Sequence, residues 1–126
     1  MNRDLLMRRA LWTTAVFNVG GALLFLFPDS LGRMAGLPAP VPGVHATLLA
    51  SFVLLFGGAY AWLARQPTID RPMVAMTAVG KTAAFVIAVG FWTMGDLPAT
   101  TVMAASGDLV FAAIFVWWLL GDGRGA

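Results

Sequence analysis

Residues 72–94, PMVAMTAVGKTAAFVIAVGFWTM, and residues 98–120, PATTVMAASGDLVFAAIFVWWLL, decide how this chain is built. A helix needs about 20 apolar residues to cross the hydrocarbon core of a bilayer, and each run supplies them. Each run also carries a single ionisable residue near its middle, Lys81 in the first and Asp108 in the second. Pro72 and Pro98 open the runs, where a helix tolerates proline because first-turn N–H groups have no intrahelical partner. Only Gly95-Asp96-Leu97 separates them. A connection that short predicts two helices packed antiparallel as a hairpin.

Two further runs lie upstream. One covers about 10–27 and is stopped by Pro28-Asp29, with an amphipathic turn able to begin it from Leu5; the other covers about 44–64. Between them, Ser30 to Gly43 holds Pro38, Pro40 and Pro42 and three glycines, too broken for more than one turn at Leu31–Ala35. Gln66 to Arg71 reads as a short polar loop. The expected fold is therefore all-α: one integral membrane domain over residues 1–126, an antiparallel four-helix bundle with spans about 10–27, 44–64, 72–94 and 98–120.

Composition agrees. Of 126 residues, 60% are hydrophobic and 11% charged, and the mean hydropathy is +0.82. Soluble domains carry about 25% charge, so this chain lacks the polar surface that water would require. Phe27-Pro28-Asp29-Ser30 is not a small-residue cleavage site, and the first run is read as an uncleaved helix rather than a signal peptide. Arg3, Arg8 and Arg9 precede the first run, Arg65 and Arg71 flank the second loop, and Arg124 follows the last run, whereas Arg33 stands alone in the opposite loops. Positive residues stay cytoplasmic, which places both termini there. Trp12, Trp62, Trp92, Trp117 and Trp118 fall near span ends, as an aromatic belt does.

Several chemistries are excluded. Without cysteine there is no disulfide, thiol catalysis or thiolate metal site, and a lone histidine builds no two-histidine haem or metal site in one chain, so no metal is expected. The isoelectric point of 9.9 is no nucleic-acid signal, because the arginines stand at span ends rather than in one patch. Gly80-Lys81-Thr82 matches the tail of a phosphate-binding loop in letters only; it lacks the upstream glycine and lies inside a span.

What remains is a polar cluster in lipid. A charge at the bilayer centre costs about 2.5–3.5 kcal/mol on insertion scales. With a rise of about 1.5 Å per residue, Lys81 lies roughly 13 Å deep, Asp108 roughly 18 Å and Asn18 roughly 12 Å. Those depths let Lys81 and Asp108 pair, with Asn18 nearby and Thr77 one turn before Lys81 on the same face. Thr14 shares the face of Asn18, and Thr47 and Ser51 are polar positions of the second span that converge on the same axis. Ser51, His45 at the start of the second span and Tyr60 near its cytoplasmic end are secondary candidates. The ordinary roles of the last two are a solvated helix end and an interfacial anchor. Gly80, Ala84 and Ala88 repeat every fourth residue, and Gly20, Gly21, Gly57 and Gly58 interrupt the first two spans; close packing within the bundle is the expected use, with a homodimer seam as the alternative.

Taken together, Phe17-Asn18-Val19-Gly20-Gly21, Phe27-Pro28, Gly36-Leu37-Pro38, Gly57-Gly58-Ala59-Tyr60, Gly80-Lys81 and Gly107-Asp108-Leu109 resemble small bacterial four-helix membrane proteins of the DoxX-like type. The resemblance runs from the first span to the last and implies a bacterial inner membrane. It implies a quinone-side role, since the name-giving proteins are associated with membrane subunits of sulfur-compound:quinone oxidoreductases. It carries no catalytic role to Lys81 or Asp108.

Three functions compete on these residues. The first is a non-catalytic binding or accessory subunit holding a lipid- or quinone-like ligand, or a partner, at Lys81–Asp108–Asn18. The second is a small oligomeric transporter of hydrophobic or cationic molecules, coupled to protons through Asp108. Against it, small multidrug transporters carry an acid where this chain has Asn18, and Lys81 favours the charged form of Asp108. The third is an enzyme using Lys81 as nucleophile, which the adjacent carboxylate opposes by holding the amine protonated. The polar groups also have a purely structural reading, as bonds that fix helix register.

Overall fold

The structure, a computed structural model, describes residues 2–37 and 43–122; Pro38, Pro40, Pro42 and Arg124 lie outside the described residues. Four helices make up nearly all of it: α1 (Arg3–Leu26), α2 (Gly43–Arg65), α3 (Arg71–Thr93) and α4 (Ala99–Asp122). All four are long and apolar enough to cross a bilayer.

Local chemistry sets their ends. α1 starts well before the apolar run because Asn2 Oδ1 accepts from the backbone N–H of Asp4 at 2.9 Å and Leu5 at 3.4 Å. That cap satisfies donors the first turn would otherwise leave unpaired. Asp70 does the same for α3, accepting from Met73 N at 3.2 Å. Gly95 follows the end of α3 and opens the turn to α4 at φ +83°, a left-handed conformation that glycine adopts without a Cβ penalty. After α1, Pro28–Gly32 forms one wide helical turn, opened by a residue favoured at helix starts, and it runs on into the turn expected at Leu31–Ala35, where Ala35 N donates to Leu31 O at 3.2 Å. Thr101 Oγ1 donates to Gly36 O at 2.9 Å and ties the end of this segment to the start of α4.

α1 packs along α2, α3 packs along α4, and α1 also meets α4. Arginines lock the ends where α1 and α3 begin and α2 and α4 finish. Arg8 donates to the carbonyls of Ala64, Gln66 and Pro67. Arg71 Nη2 donates to Leu119 O at 2.7 Å. Arg3 Nη2 donates to Trp117 O at 2.6 Å, with its guanidinium 3.7 Å from the Trp117 ring centroid. Carbonyls in and just beyond the last turns of a helix carry partial negative charge, so cations placed there are favourable.

Large side chains fill this arginine-bearing half: Met7 and Leu11 of α1, Leu63 of α2, Val74 of α3, and Phe115 and Trp118 of α4. Trp118 thereby departs from the expected belt. It is buried, and its indole Nε1 donates to Asp4 Oδ1 at 2.9 Å; Trp12, Trp62, Trp92 and Trp117 do stay exposed. In the opposite half the buried apolar residues of the first three helices are alanines, Ala22, Ala46, Ala50 and Ala88. The outward faces carry Val16, Leu55, Met76, Val79 and Met103, all exposed. An apolar surface of that extent belongs against lipid rather than water.

The glycines divide in two. A Cβ at Gly57 would lie 3.2 Å from Asn18 Cβ and 3.4 Å from Ala15 O, so this glycine sets how closely α1 and α2 approach. A Cβ at Gly20, Gly58 or Gly80 would meet nothing within 4 Å, and Ala84 is exposed. The expected packing role therefore fails for Gly80 and Ala84, because they point away from the bundle, while Ala88 is buried.

Candidate functional site

Lys81 sits in the middle of α3 and is 5% exposed. Its Nζ donates to Asp108 Oδ1 of α4 at 2.6 Å and to Asn18 Oδ1 of α1 at 3.3 Å. Asn18 in turn donates through Nδ2 to the carbonyl of Val53 in α2 at 3.0 Å. One continuous line of hydrogen bonds thus runs through all four helices: Val53 O, Asn18, Lys81, Asp108. Gly57 makes it possible, since it lies one turn beyond Val53 and lets Asn18 come close enough to reach a main-chain carbonyl.

Three aromatic rings surround the same amine. Its Nζ lies 5.2 Å from the centroid of Phe17, 5.2 Å from Tyr60 and 5.6 Å from Phe111. Within about 6 Å, the negative face of an aromatic ring attracts a cation, more strongly once water is excluded. Phe17 and Phe111 meet edge to face at 5.4 Å, and Tyr60 lies 6.0 Å from Phe115. Gly107 makes the room: a Cβ there would lie 2.7 Å from Phe17 Cε2.

The other expected site residues separate clearly. Tyr60 is buried beside the amine and not at an interface, because its ring packs between Lys81 and Phe115. Thr77 is buried one turn from Lys81, but its hydroxyl donates to Val74 O of its own helix at 2.8 Å. Thr14 is likewise turned inward onto its own helix, donating to Ala10 O at 2.7 Å. Ser51 and Thr47 do not converge on the axis; both are exposed, and Ser51 donates to Leu48 O at 3.1 Å. His45 is exposed at the start of α2, away from the cluster.

Sequence reasoning missed Phe17, Phe111 and Gly107. The signal was available: Phe17 adjoins Asn18, Gly107 adjoins Asp108, and Phe111 stands three residues beyond Asp108 on the same helix face. Aromatic residues at those offsets from an ionisable residue in lipid are natural cover for a cation.

The two charged partners are not equally covered. Lys81 is 5% exposed, whereas the Asp108 side chain keeps 20% of its exposure. The amine is sealed among rings and acceptors, and a substrate carbonyl would find little of it to attack. The carboxylate is the group with an open edge. Among the described residues, no cluster of His, Asp and Glu could hold a metal ion. Comparison of the chain with known protein families, with curated proteins and with solved structures finds no match.

Proposed function

We propose that this chain is a membrane-embedded binding or accessory subunit of the DoxX-like type, without catalytic chemistry of its own. In this reading it is an antiparallel bundle in a bacterial inner membrane, with both termini cytoplasmic. It holds a lipid-like or quinone-like molecule against the Lys81–Asp108–Asn18 cluster. The observation that carries the proposal is the open edge of Asp108 beside a sealed Lys81. A carboxylate left partly open in hydrocarbon needs a polar partner, since no water is there to supply one. A hydroxyl or amine head on a lipophilic body, such as a quinol, supplies a donor to Asp108 and apolar surface to Phe17 and Phe111. The resemblance of its short motifs to those of DoxX-like proteins supports the quinone class.

The test is extraction and mass analysis of what co-purifies in mild detergent. Wild type should retain a prenylated or quinone-like molecule, and Lys81→Met/Asp108→Leu should lose it while melting cooperatively. Equal retention by both proteins, or nothing retained by wild type in a native membrane extract, would remove the proposal.

The same open edge favours one other function, a small oligomeric transporter in which Asp108 takes up a proton or a cationic substrate. It requires proton-coupled uptake that disappears in Asp108→Asn and persists in Asp96→Asn, a control in the α3–α4 turn.

A further inference from the structure

A groove of about 500 Å³ runs between α1 and α4, outside the polar cluster. Ala10 and Ala113 hollow it out, Leu6 and Trp117 flank one end, and Phe111 closes the other. From Leu6 to Thr13 it follows α1 for about 10 Å at the helical rise of about 1.5 Å per residue. Its lining is apolar with one charged exception, Arg9. Thr13 also lines it, with its hydroxyl donating to Arg9 O at 2.8 Å.

Arg9 differs from its neighbours. Arg3, Arg8 and Arg71 spend their guanidinium groups on the carbonyls of Trp117, of Ala64, Gln66 and Pro67, and of Leu119. Arg9 is exposed, and among the described residues its side chain makes no hydrogen bond. Arg65, at the same end, is also exposed and without a side-chain hydrogen bond among the described residues, but Arg9 is the arginine that lines the groove. A cation beside an apolar groove, at the end where the arginines collect, is complementary to an anionic amphiphile.

We infer that this groove is a specific site for an anionic phospholipid, with one acyl chain lying along Ala10 and Ala113 and the phosphate on Arg9. The site rests on the membrane reading but not on any ligand at Asp108. Phe111 is nevertheless common to both, walling the groove and covering the amine of Lys81. A lipid seated here therefore abuts the cluster that faces the proposed ligand.

Native mass spectrometry of the detergent-purified full chain tests it, with an equimolar mixture of phosphatidylglycerol and phosphatidylcholine of identical acyl chains. Wild type should retain the anionic lipid about five-fold better, the usual effect of one arginine near an anionic headgroup. Arg9→Gln should abolish the preference while leaving phosphatidylcholine retention unchanged. Arg65→Gln, an exposed arginine at the same end but outside the groove, should preserve it. Ala113→Phe, which fills the groove from an exposed position, should lower retention of both lipids. Equal retention of the two lipids by wild type would overturn the site. So would a loss with Arg65→Gln as large as with Arg9→Gln, which would mean attraction to the whole basic end. Retention unaffected by Ala113→Phe would place the lipid elsewhere. Because Asp108 is intact in every variant, failure here leaves the proposed ligand at the cluster untouched.

Discussion

Replacing Lys81 by methionine removes the centre of the four-helix hydrogen-bond line while keeping a flexible apolar side chain of similar length. Two groups lose their donor: Asp108 Oδ1, now 2.6 Å from the amine, and Asn18 Oδ1, now 3.3 Å from it. Breaking a buried ion pair by removing one partner costs about 3–5 kcal/mol in soluble proteins. The open edge of Asp108 lowers that here, because one side of its carboxylate is not enclosed by protein. Interhelical hydrogen bonds in membranes are also individually modest, about 0.6 kcal/mol on average. Losing the Asn18 contact adds roughly 1 kcal/mol. The expected destabilisation is therefore about 2–4 kcal/mol, read from the midpoint of reversible unfolding in a mixed detergent–SDS titration. Lys81→Met/Asp108→Leu should recover most of it, since neither partner is then left alone, giving a coupling of about 2 kcal/mol in the double-mutant cycle. The reasoning is refuted if Lys81→Met unfolds at the wild-type midpoint, or if the double variant is as unstable as the sum of the single ones.

Other outcomes follow from particular contacts. Gly57→Ala places a methyl 3.2 Å from Asn18 Cβ and should cost about 1–3 kcal/mol in the same titration; Gly80→Ala, with nothing within 4 Å, should change stability by less than about 0.5 kcal/mol. A large loss at Gly80 instead would show that its face is covered by a second chain. Trp118→Phe removes the indole donor to Asp4 and should cost about 1–2 kcal/mol; pairing it with Asp4→Leu should recover part of that, and a fully additive pair would refute the bond. Lys81→Ala leaves a pocket of three rings and a carboxylate. Added propylammonium should raise its melting temperature and leave wild type unmoved, whereas equal effects on both would show that the rings do not select a cation.

Much of the fold could be read from the sequence because the signals were coarse. Four apolar runs separated by Pro, Gly and Arg suffice to locate four helices, as α3 and α4 illustrate. Helix starts were less legible, since α1 depends on a single cap at Asn2 that periodicity does not reveal. In the site, Lys81, Asp108 and Asn18 stood out because ionisable and amide groups are costly in hydrocarbon. Which groups meet them depends on helix rotation, and apolar residues on every face of a span carry little record of that. Hence Tyr60 looked interfacial although its ring covers the amine, and Ser51 looked axial although it faces outward. Glycine was ambiguous for the same reason: the letters of Gly57 and Gly80 are identical, and only the neighbouring backbone distinguishes contact from open space.

The line Val53–Asn18–Lys81–Asp108 also bears on how the molecule is made. Chains are synthesised from the amino terminus, so the amine of α3 is produced before the carboxylate of α4 exists. In that interval Lys81 has at most the amide of Asn18 as a companion, and its entry into hydrocarbon is unfavourable. The turn at Gly95 brings the acid within reach as soon as α4 emerges. The last two helices thus have reason to enter the bilayer as one unit, with the opposite charges travelling together, and to join the first pair afterwards.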